Sequence, residues 1–254
     1  MPAVFPLVLV MGLAFQAGAP VRAASTAPTA SSSASPAGNL TPEMRGDIMM
    51  ARKMYRDALD YYKPGAEKSA VLANKTGIAY HQLQDLEDAR KYYEKATKLN
   101  PKYAEAINNL GTIFYARKSY RRAISQYKKA LRITPDSASI FSNLGTAYFA
   151  RKDYKEASQA YEQALGLDPE VFERRSSQGT LLQDQSVEER AKFHYYLAKT
   201  YAHAGVKDRA ILYVRKALEE GFKDREKFVK DPEFAGLQDD PEFKELIATE
   251  QKVL

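Results

Sequence analysis

The sequence predicts an all-α fold: a solenoid of stacked helical hairpins, closed at its C-terminal end by a helical tail. Three observations carry this expectation. The chain matches itself at a step of 34 residues, which takes Gly77 to Gly111 to Gly145, Ala89 to Ala123 to Ala157, and Tyr93 to Tyr127 to Tyr161. The same step relates Ala96, Ala130 and Ala164, and ends each period on Pro101, Pro135 or Pro169. A fixed period of this length marks a stacked array. Within each period the apolar residues form two stripes at helical spacing, separated by a short polar break.

In the central unit, Ala104–Ser137, the first stripe is Ile107, Leu110, Ile113 and Phe114, and the second is Ala123, Tyr127, Ala130 and Leu131. Arg117-Lys118-Ser119 lies between them. Thr134-Pro135-Asp136 closes the unit, because proline cannot continue the helix before it but suits the start of the next. Gly111 and Ala123 are small enough to let the two helices approach, while Phe114 and Tyr127 fill the space beside them. A lone hairpin cannot cover its own apolar face, so neighbours must stack.

These residues resemble the tetratricopeptide repeat family. Leu110-Gly111 followed by Phe114, then Ala123, Tyr127 and Ala130, then Pro135, stand where that family has its signature. The resemblance is strong over 70–103, 104–137 and 138–171. It departs at Ala73, Ile107 and Phe141, where the family often has Trp, and at Thr76, where it has Leu. The resemblance implies a right-handed superhelix whose first helices line a concave groove.

The array extends both ways. Upstream, Gly46, Met49, Tyr55, Ala58 and Tyr62 keep the internal spacing of a unit at 39–69, although Gly46 to Gly77 is 31 residues because Lys63-Pro64-Gly65 cuts the second helix short. Thr41-Pro42-Glu43 supplies its N-cap and first-position proline. Downstream, an insertion at 172–190 breaks the period, with Ser186 and Glu189 as a capping box. A fifth unit follows at 191–224, with Ala198, Tyr201, Ala210, Val214 and Ala217 in register. In the tail, 225–254, Asp231-Pro232 and Asp240-Pro241 start helices. Phe228, Val229, Phe234, Leu237, Phe243, Leu246 and Ile247 are expected to cap the stack.

Residues 1–23 read as a signal peptide: Val4 to Phe15 is apolar, and Val21 and Ala23 suit positions −3 and −1 of a cleavage site. No basic residue precedes the apolar run, so an uncleaved anchor is the alternative. Residues 24–38, rich in Ala, Ser and Pro, read as a flexible tether. There is no cysteine, which excludes disulfides, thiolate chemistry and a lipidated cysteine. The expected location is periplasmic or secreted, and the family resemblance suggests a bacterial envelope. Removing residues 1–23 takes one basic residue, Arg22, and leaves 37 basic against 32 acidic. That mild excess, interspersed along helices, is not the density of a nucleic-acid binder.

No catalytic constellation is expected. His81, His194 and His203 do not form a metal-ligand spacing, and neither a phosphate loop nor a nucleophile elbow is present. Neither metal nor cofactor is expected. The family resemblance instead implies binding through inward columns of the first helices: Asn74, Asn108 and Ser142; Lys75, Asn109 and Asn143; Ile78, Thr112 and Thr146. Amides and hydroxyls both donate and accept, which suits the main chain of an extended peptide. The same asparagines can instead bridge neighbouring repeats. His81, Tyr115 and Phe149 form an aromatic column that either anchors a partner or packs between hairpins, and Tyr195 and Tyr196 take over the amide columns in the fifth unit. A two-carboxylate clamp is not expected, since Lys75 and Lys192 or Lys199 lie in non-adjacent repeats.

The expected function is a non-enzymatic scaffold, monomeric or weakly self-associating, that holds an extended segment of a protein partner. Two other readings remain: an adaptor docking on an envelope assembly or membrane through the basic hairpin tips at 51–55, 116–120 and 150–154, or a regulatory subunit contacting an enzyme through the 172–190 insertion.

Overall fold

The computed structural model describes residues 40–173 and 186–248. The signal peptide and tether expected at 1–38, most of the insertion and the last residues of the tail lie outside them. Five helical hairpins follow in chain order. They are α1 (Pro42–Ala51) with α2 (Tyr55–Tyr62), α3 (Ala70–Gln82) with α4 (Leu86–Leu99), and α5 (Ala104–Ala116) with α6 (Tyr120–Leu131). The remaining two are α7 (Ala138–Ala150) with α8 (Tyr154–Leu167), and α9 (Val187–His203) with α10 (Lys207–Glu219). The tail forms α11 (Glu226–Lys230), a 3-10 segment at Pro232–Leu237 and α12 (Pro241–Ala248). No strand occurs among the described residues. The second helix of each hairpin packs on the first helix of the next, which builds the solenoid.

Each of the first four hairpins is locked by one glycine against one tyrosine sixteen residues later. A Cβ added at Gly46, Gly77, Gly111 or Gly145 would lie 2.3, 2.7, 2.6 or 2.4 Å from the ring of Tyr62, Tyr93, Tyr127 or Tyr161. All four tyrosines are fully buried. The fifth hairpin keeps the spacing and trades the volumes: Ala198 and Val214 stand at the two positions, both buried in one cluster.

The five turns between paired helices are also copies of one geometry. Lys53, Gln84, Lys118, Lys152 and Gly205 sit at positive φ just past α1, α3, α5, α7 and α9. In each, the amide of this residue donates to the carbonyl three before it, and the next amide reaches back five; for Lys118 and Ser119 the acceptors are Tyr115 at 2.7 Å and Phe114 at 2.8 Å. This pairing satisfies the last carbonyls of a helix and turns the chain sharply. Thr41, Ser69, Asp85 and Ser186 cap α1, α3, α4 and α9 through their side chains.

Where the chain leaves α8 it is held firmly. Phe172 sets its ring edge-on to Tyr161 and Tyr201. Glu173 accepts from Tyr201 Oη at 3.5 Å and Tyr213 Oη at 3.4 Å, and pairs with Arg209 at 3.1 Å. The tail covers the open face of the last hairpin. Phe228, Phe234, Leu237 and Phe243 are buried, and Leu246 and Ile247 pack beside them. Val229, expected in this cap, instead points to solvent at 56% exposure, because the short α11 turns only Phe228 inward. Tyr195 also differs from expectation. It lies in the cap, stacked on Phe222 with centroids 4.5 Å apart, and its hydroxyl donates to Asp231. Lys199 closes the same junction on Asp231 at 3.1 Å and Glu233 at 3.2 Å.

Candidate functional site: the groove along the first helices

A groove of about 850 Å³ runs along the first helices of hairpins two to four and ends at the start of α9. Ile78 and His81 come from α3, and Asn109, Thr112 and Tyr115 from α5; Phe149 follows from α7, and Glu188, Glu189 and Lys192 close it from α9. Helical periodicity explains the selection, since residues three and four apart share one face. Burial lowers the pKa of the His81 imidazole, which favours its neutral form.

The asparagines form one continuous relay. Asn143 Nδ2 donates to Asn108 Oδ1 at 3.0 Å, Asn108 Nδ2 to Asn109 Oδ1 at 3.5 Å, and Asn109 Nδ2 to Asn74 Oδ1 at 3.1 Å. Asn74 Nδ2 ends the relay on Glu105 at 3.0 Å, with Tyr103 Oη at 3.4 Å. The relay thus ties α3 to α5 and α5 to α7. Asn74 is 1% exposed and Asn143 2%, so their amide groups serve neighbouring repeats rather than facing an open groove. Asn108 is also buried, yet it lines the groove. Asn74 and Asn143 lie outside the groove lining: each buried donor must be paired inside the protein, and a neighbouring asparagine is at hand.

The other expected residues divide in the same way. Lys75 reaches back to Glu43 and Asp47, at 2.7 Å each, and does not line the groove. Burial pushes the Asp47 carboxyl up, but the bonds from Lys75 and Tyr62 outweigh it and hold its pKa below the usual value. Thr112 and Thr146 are buried posts for the hairpin tyrosines, accepting from Tyr127 Oη at 3.3 Å and Tyr161 Oη at 3.5 Å. Of the two, only Thr112 reaches the groove, and Ser142 lies outside it. Tyr115 and Phe149 line the groove but are only 6% and 4% exposed. Tyr115 packs on Tyr120, and Phe149 packs edge-on against Tyr154, Phe193 and Tyr196. They are walls more than protruding anchors. Ile78 and Asn109 line the groove half-buried.

The periodicity places Tyr196 in the inward columns but not Tyr154, which lines the groove. Tyr154 stacks on Tyr196 with centroids 4.8 Å apart, and Lys192 Nζ lies over the Tyr154 ring at 4.2 Å. Glu105 and Glu189 line the groove together with Lys118 and Lys152, so the lining carries both signs of charge. In the sequence Lys192 is considered only for a carboxylate clamp, and its ring partner depends on how α9 crosses α8.

The relay makes a stability prediction. Asn108→Ala strands the buried Nδ2 of Asn143 and is expected to cost about 2–3 kcal/mol. Asn109→Ala, at a half-buried position, is expected to cost about 1 kcal/mol. Urea titration of both variants checks the order.

The repeats match models of known families. One described as TPR repeat matches residues 77–116 and 111–150, and one described as tetratricopeptide repeat matches 138–171. Solved structures agree in fold. A structure of MamA matches with a TM-score of 0.50 at 21% identity, covering 69% of this chain and 93% of its own. MamA from Desulfovibrio magneticus RS-1 matches with a TM-score of 0.51 at 21% identity, covering 70% and 92%. No curated protein matches the chain. Residues 77–171 thus match the tetratricopeptide repeat, and the described residues form an all-α solenoid of the same fold as these structures. That architecture suits protein–protein interaction, because stacked repeats create an extended binding surface.

Proposed function

We propose that the chain is a non-enzymatic scaffold that seats an extended segment of a partner protein in the groove. The observation that carries this reading is the groove itself, continuous across three hairpins. It offers the half-buried amide of Asn109, the apolar surface of Ile78 and the aromatic faces of Tyr115, Tyr120 and Tyr154. Polar groups that donate and accept serve a main chain, while aromatic walls favour apolar side chains. The buried relay keeps the wall rigid, so little ordering is needed on binding. Composition supports export, with residues 1–23 as the signal; N-terminal sequencing of the mature protein tests that assignment, and a chain starting at Ala24 is the expected result.

The groove is tested by filling it without cutting the relay. Ile78→Arg with Ala116→Arg places two long side chains on the lining, one half-buried and one exposed. Capture from envelope extract by the parent and by this variant is compared, with helicity checked by circular dichroism. The partner's affinity is expected to fall by about 30-fold or more in the variant, as for loss of a binding hot spot. Equal capture would move the binding surface elsewhere.

A further inference from the structure

The outer face of the third hairpin carries positive charge that the chain does not answer. Between Glu105 and Asp136 there are seven basic residues and no acidic one. Arg117 pairs with Glu87 of the preceding hairpin. Arg121, Arg122, Lys128 and Lys129 lie exposed on α6 and Arg132 just past its end, and no carboxylate among the described residues bridges them. Arg122 sits over the Phe114 ring at 5.8 Å and Lys128 over Tyr148 at 5.5 Å; neither contact neutralises the charge. The equivalent helix one repeat earlier is treated differently. On α4, Arg90 bridges Glu87 and Glu94 at 2.6 Å each, and Lys91 bridges Asp88 at 2.9 Å. The second helices α2, α4, α8 and α10 each carry an acidic residue in the first turn, and α6 carries none.

At one end of this face lies a concavity of about 380 Å³, lined by Lys118, Ser119, Tyr120, Arg121, Arg122 and Arg151. Arg151 pairs with Asp153 at 3.2 Å, which leaves Lys118, Arg121 and Arg122 without a carboxylate. We propose that this face docks on the surface of an anionic phospholipid bilayer. One headgroup phosphate sits among Lys118, Arg121, Arg122 and Arg151, and the Lys128–Arg132 end of α6 lies over neighbouring headgroups. Guanidinium groups match phosphate oxygens in a planar fork. The cations extend along a helix of about 18 Å, on an outward face that a planar anionic surface can meet without chain-matched register. An acidic peptide would want a trough with side-chain pockets, and this face offers a concavity only at its end. Arg121, Arg122 and Lys128 do not line the groove, whereas Lys118 and Tyr120 line both it and the concavity, so bilayer and partner would meet along this shared edge.

Vesicle flotation of the full chain at low salt tests the proposal. Because the apolar run Val4 to Phe15 carries no charge to discriminate between headgroups, the reading is the ratio of binding to vesicles with phosphatidylglycerol over vesicles of phosphatidylcholine alone. The parent is expected to prefer phosphatidylglycerol, and Arg121→Glu with Arg122→Glu to cut that preference by about 25-fold or more. Added salt should weaken it. Lys207→Glu with Lys223→Glu makes the same change of net charge at exposed sites elsewhere, and should leave the preference nearly intact. No preference in the parent, or equal loss in both variants, would overturn the proposal. So would calorimetric binding of inorganic phosphate that Arg121→Glu with Arg122→Glu abolishes, without any preference among vesicles; that result would assign the concavity to a soluble anion.

Discussion

Gly111→Ala with Tyr127→Val is expected to be more stable than the sum of its single substitutions allows, by about 1–2 kcal/mol. Alone, Gly111→Ala drives a methyl group to 2.6 Å from the Tyr127 ring. Overpacking of this kind costs about 1–3 kcal/mol, and the gain in helix propensity from replacing glycine returns at most about 1 kcal/mol. Alone, Tyr127→Val empties a fully buried site and costs about 3 kcal/mol or more through the cavity. Together they reproduce the volumes of Ala198 and Val214, which the fifth hairpin uses at the same spacing. A double-mutant cycle in urea measures the coupling. Additivity within about 0.5 kcal/mol would show that the two positions do not set the helix separation between them.

Phe234→Ala is expected to destabilise the C-terminal end by about 3–5 kcal/mol. Phe234 is fully buried, with ring centroids 5.3 Å from Phe228, 6.0 Å from Phe243 and 6.1 Å from Tyr195. Removing it hollows the cluster that covers α9 and α10. The nearby Val229→Ala should stay within about 0.5 kcal/mol, because that side chain faces solvent. Hydrogen exchange resolves the effect along the chain. A solenoid couples mainly neighbouring repeats, so faster exchange should concentrate in α9, α10 and the tail and leave α3 and α4 protected.

Much of this was legible in the sequence, and the reason is the repeat. Gly111 and Tyr127 recur together because each hairpin solves the same packing problem, so periodicity alone placed the helices and their contact faces. The turns were legible only as polar breaks. Lys53, Gln84, Lys118 and Lys152 take a left-handed conformation that favours glycine, and nothing in their side chains announces it; only Gly205 does. The groove was half legible. Spacing put Asn74, Asn108, Asn109 and Asn143 on the inward helices, but it could not tell an amide facing the groove from one facing the next repeat. That choice depends on the superhelical step between hairpins, which sets whether Asn143 can reach Asn108 at 3.0 Å. Val229 failed for a related reason: a five-residue helix is too short for its apolar pattern to define a face.

The groove, as the surface that holds the partner, is tested most directly by site-specific photo-crosslinking. A benzophenone side chain is placed in turn at Ile78, Ala116 and Lys192 along the groove, and at Ser125 and Lys207 on outer helices. One partner crosslinked from the groove positions and not from the outer ones is the expected result. Crosslinks from Ser125 or Lys207 with none from the groove would contradict the account.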